Sequence, residues 1–258
     1  MNHNKLWTKE YIFLLIESFF LYIGFMVFMP TLPAHIIELG GSQVSASLSV
    51  GLFSIIALFT RAISGSWNDR IGSKILILVG LLILIISTFS FYFSSIILLL
   101  LVIRLLQGAG WGISTTSIAT GVSTLVPPAK MGEGIGFYGL TTALGMSIAP
   151  ILAILIINMF NFHFLITFAL VFLCANLILL SQIKLKKKKP LHHTTPALLE
   201  KSAVLPAFFV FTYGYTTWRH SNIYDGLRER NSCLSYLDLF FRTSPDYSYQ
   251  SVFRWSTL

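Results

Sequence analysis

The chain has 258 residues, 55% hydrophobic and 11% charged, whereas a soluble domain carries about 25% charged residues. Its net charge of +8 is concentrated beside apolar runs, so the basic balance points to a membrane boundary and away from nucleic acid. Two cysteines, Cys174 and Cys233, give neither a disulfide framework nor a metal-ligand spacing, and no cofactor is expected.

The first apolar run covers residues 11–29 after a basic start. It is too long for a signal-peptide core, contains Glu17, and ends in Pro30-Thr31-Leu32-Pro33 in place of a small-residue cleavage site. It reads as a retained first helix. Further runs over 45–64, 75–93, 96–117, 135–157 and 162–182 each approach the ~20 residues that cross a bilayer. The sequence therefore predicts an all-α membrane protein with six transmembrane helices in residues 1–183. Between the second and third runs, Gly65-Ser-Trp-Asn-Asp69-Arg70-Ile-Gly72-Ser-Lys74 reads as a tight turn.

Connectors on one side carry Lys5 and Lys9, Arg70 and Lys74, Lys130, and then Lys184 with Lys186, Lys187, Lys188 and Lys189. The opposite connectors carry no lysine or arginine. Positive-inside bias places the N-terminus, the Gly65 to Lys74 turn and the lysine run in the cytoplasm, with the cell membrane as the expected location. The lysine run could attract anionic head groups, but it reads more simply as a topology anchor. Residues 184–202, punctuated by Pro190 and Pro196, form the expected cytoplasmic linker.

Several polar residues sit where hydrocarbon should exclude them. Glu17 lies about two turns into helix one and shares a face with Phe13, Phe20 and Gly24. An ionisable group at that depth is a functional candidate by default; the alternative is a carboxyl that reaches the cytoplasmic interface or stays neutral. Arg104 falls near mid-membrane in helix four and needs an interior partner or a wet cavity. With Gln107, Gly108, Trp111, Gly112 and Thr115 it makes a polar and small-residue stripe suited to close packing beside a polar path. A purely structural stripe, with Arg104 bonded to backbone carbonyls, is the alternative. Arg61, at the expected cytoplasmic end of helix two, can snorkel. Helix five carries Gly136, Gly139, Gly145, Ala149 and Pro150, which predicts close packing and a bend near Pro150. Glu133 at its start suits the positive end of the helix dipole.

Together these segments resemble the N-terminal six-helix half of a major facilitator superfamily transporter. Gly65, Asp69, Arg70, Gly72 and Lys74 match the superfamily signature between helices two and three. Arg104-Leu-Leu-Gln107-Gly108 resembles the helix-four arginine motif, implicated in coupling in proton-coupled members. Gly145-Met-Ser-Ile-Ala-Pro150 is similar to the helix-five antiporter motif, although Ile151, Leu152 and Ala153 stand where glycines usually follow. The resemblance covers residues 7 to about 214. It implies two three-helix inverted repeats with a substrate path beside helices one, two, four and five, and a gating role for Asp69 and Arg70. Bacterial drug and sugar efflux permeases are the most similar members.

Such a transporter has two six-helix halves. A seventh helix begins at Leu205 to Gly214, within 203–214, but residues 215–258 are polar and aperiodic. If each codon there is read one base later, every His, Asn, Asp or Tyr yields Ile, Met or Thr. That change covers His220, Asn222, Tyr224, Asp225, Asn231, Tyr236, Asp238, Asp246, Tyr247 and Tyr249, while Trp218 and Trp255 become glycine. A frameshift near residue 215 is therefore expected, with a genuine short tail as the rival. The expected activity is proton-coupled secondary efflux of a small molecule, drug or sugar, with Glu17, Arg104 and Gln107 on the coupling or substrate path. A truncated remnant that inserts without transporting, and a pair of such halves assembling into a working unit, are the alternatives. An intramembrane enzyme is disfavoured, since no membrane-embedded catalytic pair appears.

Overall fold

The computed structural model describes residues 5–94, 96–183, 185 and 212. The seventh-helix start (apart from Thr212), the tail, the frameshift and nearly all of the basic linker lie outside the described residues. Every regular element among the described residues is helical: α1 Lys9–Met26, α2 Phe28–Glu38, α3 Gln43–Ile71, α4 Ser73–Ser90, α5 Ile97–Leu125, α6 Met131–Met159 and α7 Phe162–Gln182, with short 3-10 turns at Phe91–Phe93 and Pro128–Lys130. They make six stretches long and apolar enough to cross a membrane. Small polar caps start three of them. Thr8 accepts from Tyr11 N–H, Ser42 from Ser45 N–H and Asn161 from Phe164 N–H, each satisfying a donor that the first helical turn leaves free.

Three boundaries differ from the sequence reading. The first span does not stop at Pro30-Thr-Leu-Pro33; after a one-residue interruption at Val27 it continues as α2 to Glu38. Pro30 stands in the first turn of α2, where a missing N–H costs little, and the Thr31 hydroxyl donates to Val27 O at 2.7 Å beside the interruption. The Gly65 to Lys74 segment is not a ten-residue loop, because α3 runs to Ile71 and the chain reverses on Gly72 alone, at φ +97°. Only glycine adopts that backbone freely. α6 runs unbroken from Met131 through Pro150 to Met159, past both ends of the 135–157 apolar run.

The packing pairs are symmetric. α3 lies along α5 as α6 lies along α1, and α4 lies along α5 as α7 lies along α1; α4 and α7 also touch. Exchanging the first three spans with the last three reproduces the same neighbours, which is the pattern of an inverted repeat. Close backbone approach sets the α5 contacts. A Cβ on Gly108 would stand 2.6 Å from Phe53 O, and one on Gly112 2.7 Å from Ala57 O and in collision with the Thr60 hydroxyl. On the opposite side of α5, Gly110 meets Gly80 O of α4 at 2.9 Å in the same sense.

Candidate substrate and coupling site

Arg104 is fully buried on α5. Its guanidinium donates to Gln107 Oε1 at 3.2 Å and to Phe28 O at 3.1 Å, and lies 5.4 Å and 5.9 Å from the ring centres of Phe53 and Phe25. Gln107 passes the chain on to Thr88 of α4, donating to its hydroxyl at 3.3 Å. The arginine, with Gln107 as relay, thus joins all of the first four spans: the first and third by hydrogen bonds and the first and second by the Phe25 and Phe53 faces, the desolvated setting in which a cation over rings is most favourable. Its Nε has no partner among the described residues. The bond to Phe28 O is the backbone-carbonyl contact that one sequence reading of Arg104 expected.

Glu17 is also fully buried, on α1, and neither carboxyl oxygen has a hydrogen-bond partner among the described residues. Phe25, which contacts Arg104, lies eight residues along the same helix, about 12 Å at 1.5 Å per residue. The two candidate coupling residues are therefore not an ion pair. Lys74 acts on Glu17 electrostatically from the turn side. Asn176 of α7 binds the same turn of α1: with its amide oriented to satisfy both atoms, it donates to Glu17 O at 2.9 Å and accepts from Leu21 N–H at 3.0 Å. Ser18, next to Glu17, is buried as well, and its hydroxyl interacts with the Tyr138 phenol.

An aromatic stack connects the two levels. Phe25 stacks on Phe53 (5.0 Å) and on Trp111 (4.4 Å), and Trp111 meets Tyr22 edge-on at 4.9 Å. Gly145 gives Tyr22 its place, since a Cβ there would stand 2.7 Å from Tyr22 Cβ. Gly139 faces open space among the described residues.

The residues of the turn divide into two groups. Asp69 and Arg70 are exposed, and the only ion pair among the described residues is His35 with Glu38. Lys74 turns inward, donating to Ile183 O at 2.6 Å and Ser181 O at 3.4 Å, at the C-terminal end of α7. A cation on the last carbonyls of a helix satisfies orphan acceptors and opposes the negative end of the dipole. Gly65 has open space around it. Asn68, which the sequence reading passed over, is buried and donates to Ser64 O at 2.7 Å and Ser117 Oγ at 3.1 Å, pinning α3 to α5. Asn176 was missed as well; its signal was an amide in the interior of the sixth apolar run.

Known proteins resemble this chain in sequence or in fold. The chain is 26% identical over 137 residues to Multidrug resistance protein 1 of Bacillus subtilis (strain 168), covering 53% of this chain and 35% of that protein. It is 20% identical over 143 residues to Quinolone resistance protein NorA of Staphylococcus aureus, covering 55% and 37%. The match thus spans about a third of the length of these curated relatives. Among solved structures, the human organic anion transporter MFSD10 (TETRAN) superposes with a TM-score of 0.58 at 19% identity, over 75% of this chain and 51% of that one. The Major Facilitator Superfamily model matches residues 14–256, and with six membrane-crossing helices in a symmetric arrangement the chain belongs to that superfamily of transporters.

Proposed function

We propose that the chain is a secondary active transporter, or the six-helix half of one, that exports a small organic molecule across the cell membrane in exchange for protons. The observation that carries this reading is Glu17: a carboxyl enclosed among helices with both oxygens unpartnered among the described residues. A buried charge costs several kcal/mol unless it is compensated, so such a group supports a role in which a proton arrives and leaves during the cycle. Arg104 and Gln107 would hold the first, third and fourth spans at a fixed spacing while that proton moves. Exposed Asp69 and Arg70 would contact a facing half on the cytoplasmic side, in keeping with a cytoplasmic N-terminus. Similarity to two drug-resistance proteins supports an organic, drug-like substrate over a sugar.

The test is reconstitution of the purified chain in liposomes with an imposed pH gradient and a fluorescent cationic dye. Gradient-driven dye movement, lost in Glu17→Gln with the protein still inserted, is the expected result. Movement that is unchanged in Glu17→Gln would refute the coupling role.

A second reading, insertion without transport, is favoured by one observation: the matched segments span about a third of the relatives' length. Alternating access rocks one helical half against another. Absence of any gradient-driven flux from a well-inserted chain would establish this reading over the first.

A further inference from the structure

Asn176 is fully buried on α7, where an amide without bonds would be costly, and both of its bonds go to one place. In the orientation that satisfies both of its atoms, the amide donates to Glu17 O at 2.9 Å and accepts from Leu21 N–H at 3.0 Å. These two groups are the ends of a single rung of the α1 ladder, since a helical N–H bonds the carbonyl four residues back. A carbonyl has two lone pairs, but an N–H has one hydrogen. Asn176 therefore competes with Glu17 O for the Leu21 hydrogen and loosens the rung on which Glu17 sits.

The other repeat offers a contrast. Its equivalent helices, α5 and α4, are also joined by a buried amide, but there Gln107 donates to the Thr88 hydroxyl, side chain to side chain. A bond of that kind is enough to join two helices. A grip on the α1 backbone also fixes the rotation of α1 at Glu17. Gly24 provides a second fixed point about two turns along the same interface, since a Cβ there would stand 3.2 Å from Ala169 O and from Phe172 Cβ of α7.

Charged and titratable groups around Glu17 are few. Lys74 of α4 acts on it electrostatically, and Ser18 beside it interacts with the Tyr138 phenol of α6. α6 also carries Glu133, which acts on Tyr11. The one charged residue of α5, Arg104, lies at the level of Phe25. α2 has the His35–Glu38 pair near its far end, and α7 has His163 near its start and exposed Cys174. No hydrogen bond to the carboxyl comes from any of them among the described residues. The backbone that carries the carboxyl therefore decides where it faces.

We propose that Asn176 is a positioning residue for Glu17: by holding both ends of the Glu17–Leu21 rung, it sets the direction of an otherwise unbonded carboxyl and so governs its uptake and release of a proton. The inference rests on the coupling role of Glu17 only in giving that proton a part in transport.

Asn176→Leu removes both bonds at similar side-chain size and orphans neither backbone group, because Glu17 O and Leu21 N–H then complete the ordinary rung. The purified full chain in lipid nanodiscs is titrated by infrared spectroscopy, the Glu17 carboxyl band being the one lost in Glu17→Gln. Asn176→Leu is expected to keep an unfolding midpoint near the parent's while its Glu17 band titrates about one pH unit away, about a tenfold change in proton affinity. Asn176→Gln, which keeps an amide, should fall between the two. An unchanged titration in Asn176→Leu overturns the proposal, and with a lowered unfolding midpoint it marks a purely structural amide. If Asn176→Leu is not monodisperse, unchanged titration in both Asn176→Gln and Asn176→Ser overturns it instead. A shifted band in a chain without gradient-driven flux counts against the efflux reading alone, and flux lost in Glu17→Gln beside an unshifted band counts against the positioning role alone. A parent chain with no titrating Glu17 band overturns both.

Discussion

The ammonium of Lys74 rests on the carbonyl of Ile183 at 2.6 Å, joining the first turn of the third span to the end of the sixth. These two spans are equivalent under the internal symmetry of the bundle, so the contact ties the two repeats together at the end where α4 begins and α7 stops. Lys74→Met should lower stability by about 1 kcal/mol, the scale of a partly exposed cation on a helix C-terminus, and Lys74→Arg should recover part of the loss. Thermal unfolding in detergent checks this; an unchanged midpoint in Lys74→Met would mean the contact holds nothing together.

Glycines on α5 and α6 provide a paired test. Gly112→Ala would drive a Cβ toward Ala57 O and the Thr60 hydroxyl, and a backbone carbonyl cannot swing aside. Overpacking of this kind costs about 1–3 kcal/mol. Gly139→Ala meets nothing among the described residues and should be neutral or stabilising by up to about 1 kcal/mol through helix propensity. Unfolding midpoints of the two variants should move in opposite directions, or only the first should move.

Arg104→Lys keeps a positive charge but loses the planar fork that serves Gln107 and Phe28 O together. A hydrogen bond to a charged group is worth about 1.5–3 kcal/mol, so the variant should unfold at a clearly lower temperature than the parent. Retention of the parent midpoint would show that a point charge over the Phe25 and Phe53 rings suffices.

Glu17→Met replaces two unpartnered buried oxygens with an apolar chain of similar length. Relief of that desolvation, about 1–3 kcal/mol, predicts equal or greater stability together with loss of gradient-driven flux. A large drop in stability would instead assign Glu17 a structural bond formed outside the described residues.

Charge made part of the site legible in the sequence. Glu17 and Arg104 stand out because hydrocarbon rarely admits an ionisable group, and the six spans follow from run lengths, whereas their symmetry came only from the family resemblance. Asn176 and Asn68 were not legible, since an amide hardly changes the hydropathy of a run and its value lies in a partner on another helix. Helix ends were misplaced for a related reason. Apolar length measures the membrane, whereas the hydrogen-bond ladder of α3 continues through Ser66, Asn68 and Arg70 to Gly72. That extension moved Arg61 away from a helix end.

Gly108 and Gly112 press α5 onto α3, while Gly110 and Gly80 press its other side onto α4. Contacts this tight hold one register, because sliding or turning α5 by a single residue would bring a Cβ against a neighbour's carbonyl. The second, third and fourth spans are thereby keyed together like slotted parts, and any force applied at one end of α5 reaches both companions undiminished. Conformational work in this molecule therefore falls on the joints around that block, not on its interior.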